Sequence, residues 1–336
     1  MTARIAFLST AHIHTDAFIK HLTSSDVDAT IKAIWDDTPQ RGQKYADQAD
    51  ATFIDNIDNL LADDQIDAFV ICDANTRHTA LLEKALPVGK PVFCEKPIST
   101  SLADAQRIAR LIKQHKTPLC SGYFFPFFAE NQAVQQAVHA GTFGRITHAF
   151  VRNSHHACYG RWFDSPDLQW FTQPELSGGG ALMDMGAHAV HWLLRLCGPV
   201  VSVWADISNV TSIYPDVDDY GVIHMKLADN IIGRAEASWV QHSSNSGLEL
   251  WGAEAALTFI DGQPHAVSNN QKPTPLPKAE ALPDRIERLL AIVEQRLDPA
   301  EVKEDLAACL NEVAVMDAAY RSAESGTSES VARIEI

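Results

Sequence analysis

Five short apolar runs in the first 120 residues, each followed by a helical pattern, constrain this chain more than any other feature. Arg4–Leu8, Thr30–Trp35, Ala68–Cys72, Pro91–Cys94 and Leu119–Ser121 read as buried strands. Between them, Asp16–Leu22, Gln40–Gln48, Thr79–Leu86 and Leu102–His115 read as helices. Alternation of this kind builds βαβ units, so the expected class is α/β with a Rossmann-type parallel sheet. Ligands of such sheets bind beyond the carboxyl ends of the strands, beside the point where strand order reverses. Chemistry is therefore sought in the residues that follow each run.

After the first run, where a dinucleotide fold usually carries Gly-x-Gly-x-x-Gly, stands Ser9-Thr10-Ala11-His12-Ile13-His14, without a glycine. Small Ser9, Thr10 and Ala11 still let the backbone approach a pyrophosphate at the next helix N-terminus, and His12 or His14 can donate to phosphate. The two histidines read equally well as loop caps. As a His-x-His pair they suggest a metal, but no third ligand is apparent nearby and none is assigned. Asp36 ends the second strand roughly 25 residues on, the spacing of an acid that binds ribose hydroxyls and repels a 2′-phosphate. NAD is thus favoured over NADP, with Arg41 softening the preference. The third strand runs into Asp73-Ala74-Asn75-Thr76-Arg77-His78, putting Asp73, Asn75 and His78 at the crevice. The next runs into Glu95-Lys96-Pro97. A lysine there can polarise a carbonyl or hydroxyl oxygen and stabilise an alkoxide, unless it is a surface lysine in a turn. Ser9, Thr10, Ala11, His12, Ile13, Asp36, Asp73, Asn75, His78, Glu95 and Lys96 form the expected cofactor side.

A second concentration of chemistry lies at Ser177–His191, where three glycines give way to a helical pattern that stops at Cys197-Gly198-Pro199. Asp184 and His188 are four residues apart and share a helix face, with His191 on nearly the same stripe. A carboxylate beside an imidazole makes a general base; the plainer reading is a polar seam. Around this motif, Phe127–Gly141 reads as a helix, a strand begins at Ile146–Arg152, and Val200–Ile207, Tyr220–Leu227, Ile231–Val240, Leu248–Trp251 and Ala256–Ile260 read as further strands. Alternating runs between polar turns describe an open, mostly antiparallel sheet in an α+β domain. Lys272–Pro277 reads as an extended connector and Glu301–Glu324 as a last long helix. The expected division is a dinucleotide domain over 1–122 and a substrate and oligomerisation domain over 123–336. Within the stretch 153–163, His155, Tyr159, Arg161 and Trp162 can hydrogen-bond polyol hydroxyls and stack on a sugar's C–H face, or simply anchor a loop.

The formal net charge of −16, without a basic cluster, argues against nucleic acid and anionic membranes as partners. No apolar run reaches the ~18 residues of a membrane span, and the start of the chain lacks a secretory pattern. Six scattered cysteines with no Cys-x-x-Cys pair suit a cytoplasmic protein with reduced thiols.

Glu95-Lys96-Pro97 followed by Gly178-Gly179-Gly180-Ala181-Leu182-Met183-Asp184-Met185-Gly186-Ala187-His188 resembles the glucose–fructose oxidoreductase/inositol 2-dehydrogenase (Gfo/Idh/MocA) family. Similarity extends to Ala140–Ile146 at the domain junction and Ala319–Gly326 near the end. The resemblance implies a nicotinamide-dependent dehydrogenase with Lys96, Asp184 and His188 as its catalytic set. His188 would take the hydroxyl proton, Lys96 hold the oxygen, and Asp184 orient His188 or bind a neighbouring hydroxyl. It also implies a homodimer or homotetramer formed through the second sheet. Two features depart from the family: the missing glycine loop, and Gly122-Tyr123-Phe124-Phe125-Pro126 where many relatives carry an arginine-containing segment. Tyr123 joins His155, Tyr159, Arg161, Trp162, Asp184 and His188 on the expected substrate side. The activity expected is NAD-dependent oxidation or reduction at a secondary alcohol or ketone of a sugar, cyclitol or related polyol. The other readings are a hydrolase or lyase that uses NAD transiently, and a non-catalytic sensor of nucleotide or sugar.

Overall fold

The computed structural model describes residues 2–243 and 246–336. Its first sheet contains β1 (Ala3–Thr10), β2 (Ala29–Trp35), β3 (Thr52–Phe53), β4 (Ala68–Cys72), β5 (Val92–Cys94) and β6 (Leu119–Ser121), in the order β3-β2-β1-β4-β5-β6. All neighbours are parallel. Helices α1 (Thr15–Leu22), α2 (Pro39–Ala49), α3 (Ile57–Leu61), α4 (His78–Ala85) and α5 (Leu102–His115) make the connections. The five expected strands and four expected helices are all present. The two-residue β3 and five-residue α3 were not expected, since neither is long enough to show a period. Strand order reverses between β1 and β4, so the crevice opens where their carboxyl ends diverge.

The chain continues through α6 (Ala129–His139), β7 (Ile146–Ser154), the single turn α7 (Pro174–Ser177) and α8 (Ala187–Cys197). There follow β8 (Val200–Ser208), β9 (Tyr220–Leu227), β10 (Ile232–Ser238), β11 (Gly247–Gly252), β12 (Ala256–Ile260), β13 (Gln263–Val267) and β14 (Thr274–Pro275). Helices α9 (Arg285–Val293) and α10 (Pro299–Ser325) and strand β15 (Glu329–Ser330) complete the fold. The second sheet has the order β14-β13-β12-β11-β7-β10-β9-β8-β15, with β7 and β10 its one parallel pair among the described residues. One face packs on α6, α8 and α10 through Val134, Val190, Leu193 and Val315. The supposed connector is partly ordered as β14, whose Thr274 pairs with Ala266 of β13.

Two helices bind the halves together. From α9, Ile286, Leu289 and Leu290 join the core of the parallel sheet beside Phe7 and Phe93. From α10, Leu306, Leu310 and Val313 pack on that same sheet's other cluster, while Met316, Ala318 and Ala319 enter the core of the second sheet. A helix buried in two cores is apolar on more than one side, and α10 accordingly lacks a single stripe. Its ends are well defined: Asp298 accepts the Ala300 N–H, Pro299 occupies the first turn, and Gly326 closes the helix at φ 68°. No helix among the described residues is long and apolar enough to cross a membrane. All six cysteines are free thiols.

Candidate active site

At the end of β5 the chain turns through Glu95-Lys96-Pro97, and buried contacts fix this turn from behind. Glu95 is wholly buried, with Oε1 2.9 Å from His14 Nδ1 and Oε2 accepting the Lys96 N–H at 2.9 Å. Burial alone raises its carboxyl, but His12, His14 and Lys96 outweigh this and hold it well below the ordinary value. Gly122 follows from the same packing, since a Cβ there would stand 2.5 Å from Glu95 Oε2. His78 lies between two carbonyls, 2.8 Å from Pro97 O and 3.1 Å from Asp73 O. Glu95 and His78 thus shape the turn from inside the protein, which corrects their expected place on the cofactor surface. A polar side chain at a strand end can face the crevice or the interior, and sequence does not separate the two.

Lys96 extends from this turn to the second half of the chain, its Nζ 2.9 Å from Asp184 O and 2.5 Å from Asp184 Oδ1. The other carboxylate oxygen accepts the Trp239 Nε1–H at 2.9 Å, with His155 Nε2 3.8 Å away. Burial raises the Asp184 carboxyl, yet Lys96 and His155 together hold it well below its usual range. The expected Asp184–His188 pairing does not form. Residues Leu182–Gly186 make a π-helical turn, and both Asp184 carboxylate oxygens are already engaged there, one by Lys96 and the other by Trp239. Asp218 organises this turn, accepting the Gly180 N–H at 2.8 Å and the Leu182 N–H at 2.7 Å while the Tyr320 hydroxyl donates to it at 2.9 Å. Gly180 is obligatory there, because a Cβ would lie 1.9 Å from the Asp218 carbonyl oxygen. His191 also leaves the expected stripe and pairs with buried Asp305 at 3.1 Å.

His188 instead packs its ring 4.4 Å from that of Phe124. Burial, reinforced by the Lys96 charge, holds its pKa well below the ordinary value, so the imidazole is neutral. Lys96, Asp184 and His188 line one cavity of about 230 Å³, together with His12, Ile13, His155 and Trp162 from the expected set. His14, Phe124, Asn153, Phe163, Phe171 and Met185 complete its walls. Three substrate-side expectations are corrected. Tyr123 is fully buried, its hydroxyl donating to Glu312 at 2.6 Å and its ring stacked on His191 at 4.1 Å. Tyr159 is 44% exposed and stacks on His242 outside the cavity. Arg161 turns outward to Asp164 at 2.9 Å. The loop bends sharply at Arg161, φ 53°, which separates these two from His155 and Trp162.

The cofactor side is built at the ends of β1, β2 and β4. Ser9 holds the left-handed backbone, φ 74°, commonly left to glycine. Thr10 closes the loop onto Asp36, its N–H and Oγ1–H donating to Oδ2 at 2.9 and 2.6 Å. Arg41 grips the same carboxylate at 3.0 and 2.7 Å, so the acid at the ribose position shares its charge with a guanidinium. Across the crevice, Trp170 Nε1–H donates to Ala11 O at 3.0 Å, and Asn75 donates to Ser177 O at 2.9 Å. Asp73 is buried, and burial pushes its carboxyl up to about 6. Ser9 Oγ, His12 Nε2, Thr15 Oγ1 and Asn75 Oδ1 are buried polar atoms without a partner, all beside the carboxyl ends of β1 and β4. Orphaned polar atoms at that place, with Asp36 at the tip of β2, fit a dinucleotide.

Trp239, Asp218, Tyr320 and Glu312 were not among the expected site residues. Tyr320 falls within the resembling segment Ala319–Gly326, but all four meet the site only through tertiary contact, so no local signal marks them as part of it. Phe171 also lies outside the expected set, since nothing in the sequence says that it faces the cavity.

Residues 4–123 match the model of an oxidoreductase family with an NAD-binding Rossmann fold, and residues 131–258 match that of the GFO/IDH/MocA C-terminal domain. Inositol 2-dehydrogenase of Rhizobium meliloti is 25% identical over 346 residues, covering 96% of this chain and 97% of that protein. The 2,7-anhydro-N-acetylneuraminate hydratase of Mediterraneibacter gnavus is 25% identical over 234 residues, covering 68% of this chain and 60% of the hydratase. The chain spans 60–65% of the length of this hydratase and two further curated relatives. Among solved structures, levoglucosan dehydrogenase in complex with NADH and levoglucosan superposes with a TM-score of 0.80 at 17% identity, over 99% of this chain and 100% of that one. The WlbA dehydrogenase from Bordetella pertussis with NADH and UDP-GlcNAcA gives 0.79 at 21% identity, over 99% and 100%.

Proposed function

Because this chain belongs to the Gfo/Idh/MocA family of NAD-binding oxidoreductases, we propose that it is an NAD-dependent dehydrogenase or reductase acting on a secondary alcohol or ketone of a sugar, cyclitol or related polyol. One observation carries the reading: a lysine from the parallel-sheet side and a neutral imidazole from the other half of the chain line the same small cavity. Residues 1–122 hold the dinucleotide, and residues 123–336 supply the substrate walls. Relatives with dehydrogenase names, for inositol and levoglucosan among them, support the substrate class. Free cysteines support a reducing cytoplasmic setting.

Bound NAD supplies the two-electron acceptor for the carbinol carbon. The chain's own residues do the rest. Ser9, His12 and Asn75 offer unpartnered polar atoms that would hold the dinucleotide, and Asp36, its carboxylate bound by Thr10, Thr38 and Arg41, would fix the loop beside the adenosine ribose. Lys96, tethered by Asp184, donates to the substrate oxygen and stabilises the negative charge that develops there. His188, neutral because it is buried beside Lys96, accepts the hydroxyl proton. Asp184 holds Lys96 by a hydrogen bond and reaches His188 through its charge alone. Phe124, Trp162 and Phe171 exclude water and meet the C–H face of the substrate.

The test is a 340 nm screen of sugars, cyclitols and diols with NAD and NADP separately, followed by Lys96→Ala and His188→Ala on any substrate found. Each variant is expected to lose kcat/KM by at least about a hundredfold while still binding NADH, followed by fluorescence. A variant that keeps more than about a tenth of wild-type turnover removes that residue from the chemistry.

A further inference from the structure

Away from the candidate active site, the end of α5, the start of β6, the end of α9 and the first turns of α10 border a half-open cavity of about 720 Å³. The proposed reaction makes no use of it. Leu119, Leu297, Val302 and Leu306 give it an apolar interior, and Lys113, Lys116 and Lys303 stand around it. No aspartate or glutamate side chain lines it. Among the described residues, none of the three ammonium groups is in an ion pair, although the chain as a whole carries a formal net charge of −16. Ile336 also lines the opening, and the carboxylate of that residue is the one anionic group in the lining, which leaves the three ammonium groups in excess.

Three like charges around one opening repel each other unless an anion lies between them. The volume falls within the ordinary range for a small-molecule site. Thr117 and Gln295 are the remaining polar side chains in the lining, too few to satisfy a hydroxyl-rich or nucleotide ligand. An apolar body with one anionic head matches both halves of the cavity. We propose that it binds a single-tailed, medium-chain carboxylate, with the tail against Leu119, Val302 and Leu306 and the head among Lys113, Lys116 and Lys303. This site is independent of the dehydrogenase reading and survives or fails without it.

Isothermal titration of the full chain with dodecanoate, below its micellar concentration and at low salt, tests the proposal. One saturable equivalent per chain is expected, with affinity falling about tenfold on shortening the tail by two carbons. The double variant Lys113→Glu/Lys303→Glu changes two exposed side chains and should leave the fold intact, as thermal unfolding can check. It is expected to weaken dodecanoate at least tenfold. Dodecyltrimethylammonium, with the same tail and the opposite charge, should not bind. No saturation by about 1 mM dodecanoate, an unchanged affinity in the double variant, or equal binding of the cationic amphiphile each overturns the proposal.

Discussion

Two buried acids near the site behave oppositely, and their neighbours explain why. Asp184 is held ionised by Lys96 and His155, which makes it a fixed anchor for the ammonium. Glu312 on α10 is more deeply buried and has only the Tyr123 hydroxyl bonded to it, and burial pushes its carboxyl up to about 8. Its Oε1 has no partner and is the place for the proton. Between the ordinary carboxylate value and about 8, the folded protein keeps a proton that the unfolded chain has released. The contribution to stability is therefore whole at low pH and is lost as pH rises towards 8, at about 1.4 kcal/mol per pH unit. Glu312→Gln retains the Tyr123 contact and removes the titration. Urea unfolding from pH 5 to 8.5 should give a flatter profile for the variant than for wild type, and parallel profiles would exclude the assignment.

At the scale of elements, the site depends on the glycine turn and the π-helical turn that follows it. Asp218 binds the Gly180 and Leu182 N–H groups, and Tyr320 from α10 fixes Asp218. Gly180→Ala drives a Cβ into the Asp218 backbone, which has no flexible end to yield. The variant is expected to lose about 1–3 kcal/mol in denaturant unfolding and, because Asp184 shifts with the turn, more than tenfold in turnover. Wild-type stability in Gly180→Ala would show that the close approach is not essential. The parallel strands and their helices were legible because a buried strand and an amphipathic helix each repeat a pattern over several residues. The π-helical turn was not. Its hydrogen bonding leaves the apolar spacing of residues 182–197 compatible with an ordinary helix, so the sequence does not show that Asp184 shares a cavity with His188 while bonding Lys96 and Trp239 instead.

For the whole molecule, the outer face of the second sheet is the remaining surface to account for. Strand register brings Trp204, His224, Arg234 and Phe150 into one row across β8, β9, β10 and β7. Arg234 lies 4.8 Å over the Phe150 ring, and His148 stacks on Trp251 at 4.3 Å. Nearby, Trp204 is 44% and Ile232 47% exposed. An aromatic and apolar row of this kind suits the homodimer or homotetramer through this sheet that the sequence resemblance implies. The double variant Trp204→Glu/Ile232→Glu should sediment as a monomer where wild type sediments as an oligomer. Unchanged sedimentation would place self-association elsewhere.

The sequence alone determined the parallel sheet, the antiparallel companion and the two motifs that carry Lys96, Asp184 and His188, because each is a local repeat or a compact signature. It could not decide which side chains meet. Lys96 and Asp184 are 88 residues apart, and the bond between them depends on how two sheets dock. The same docking buried Tyr123 against Glu312, sent Arg161 outward and brought Trp239 to Asp184. Polar pairing across a chain is short-ranged and directional, so a loop displaced by one residue changes the partner, whereas burial of apolar runs tolerates such shifts.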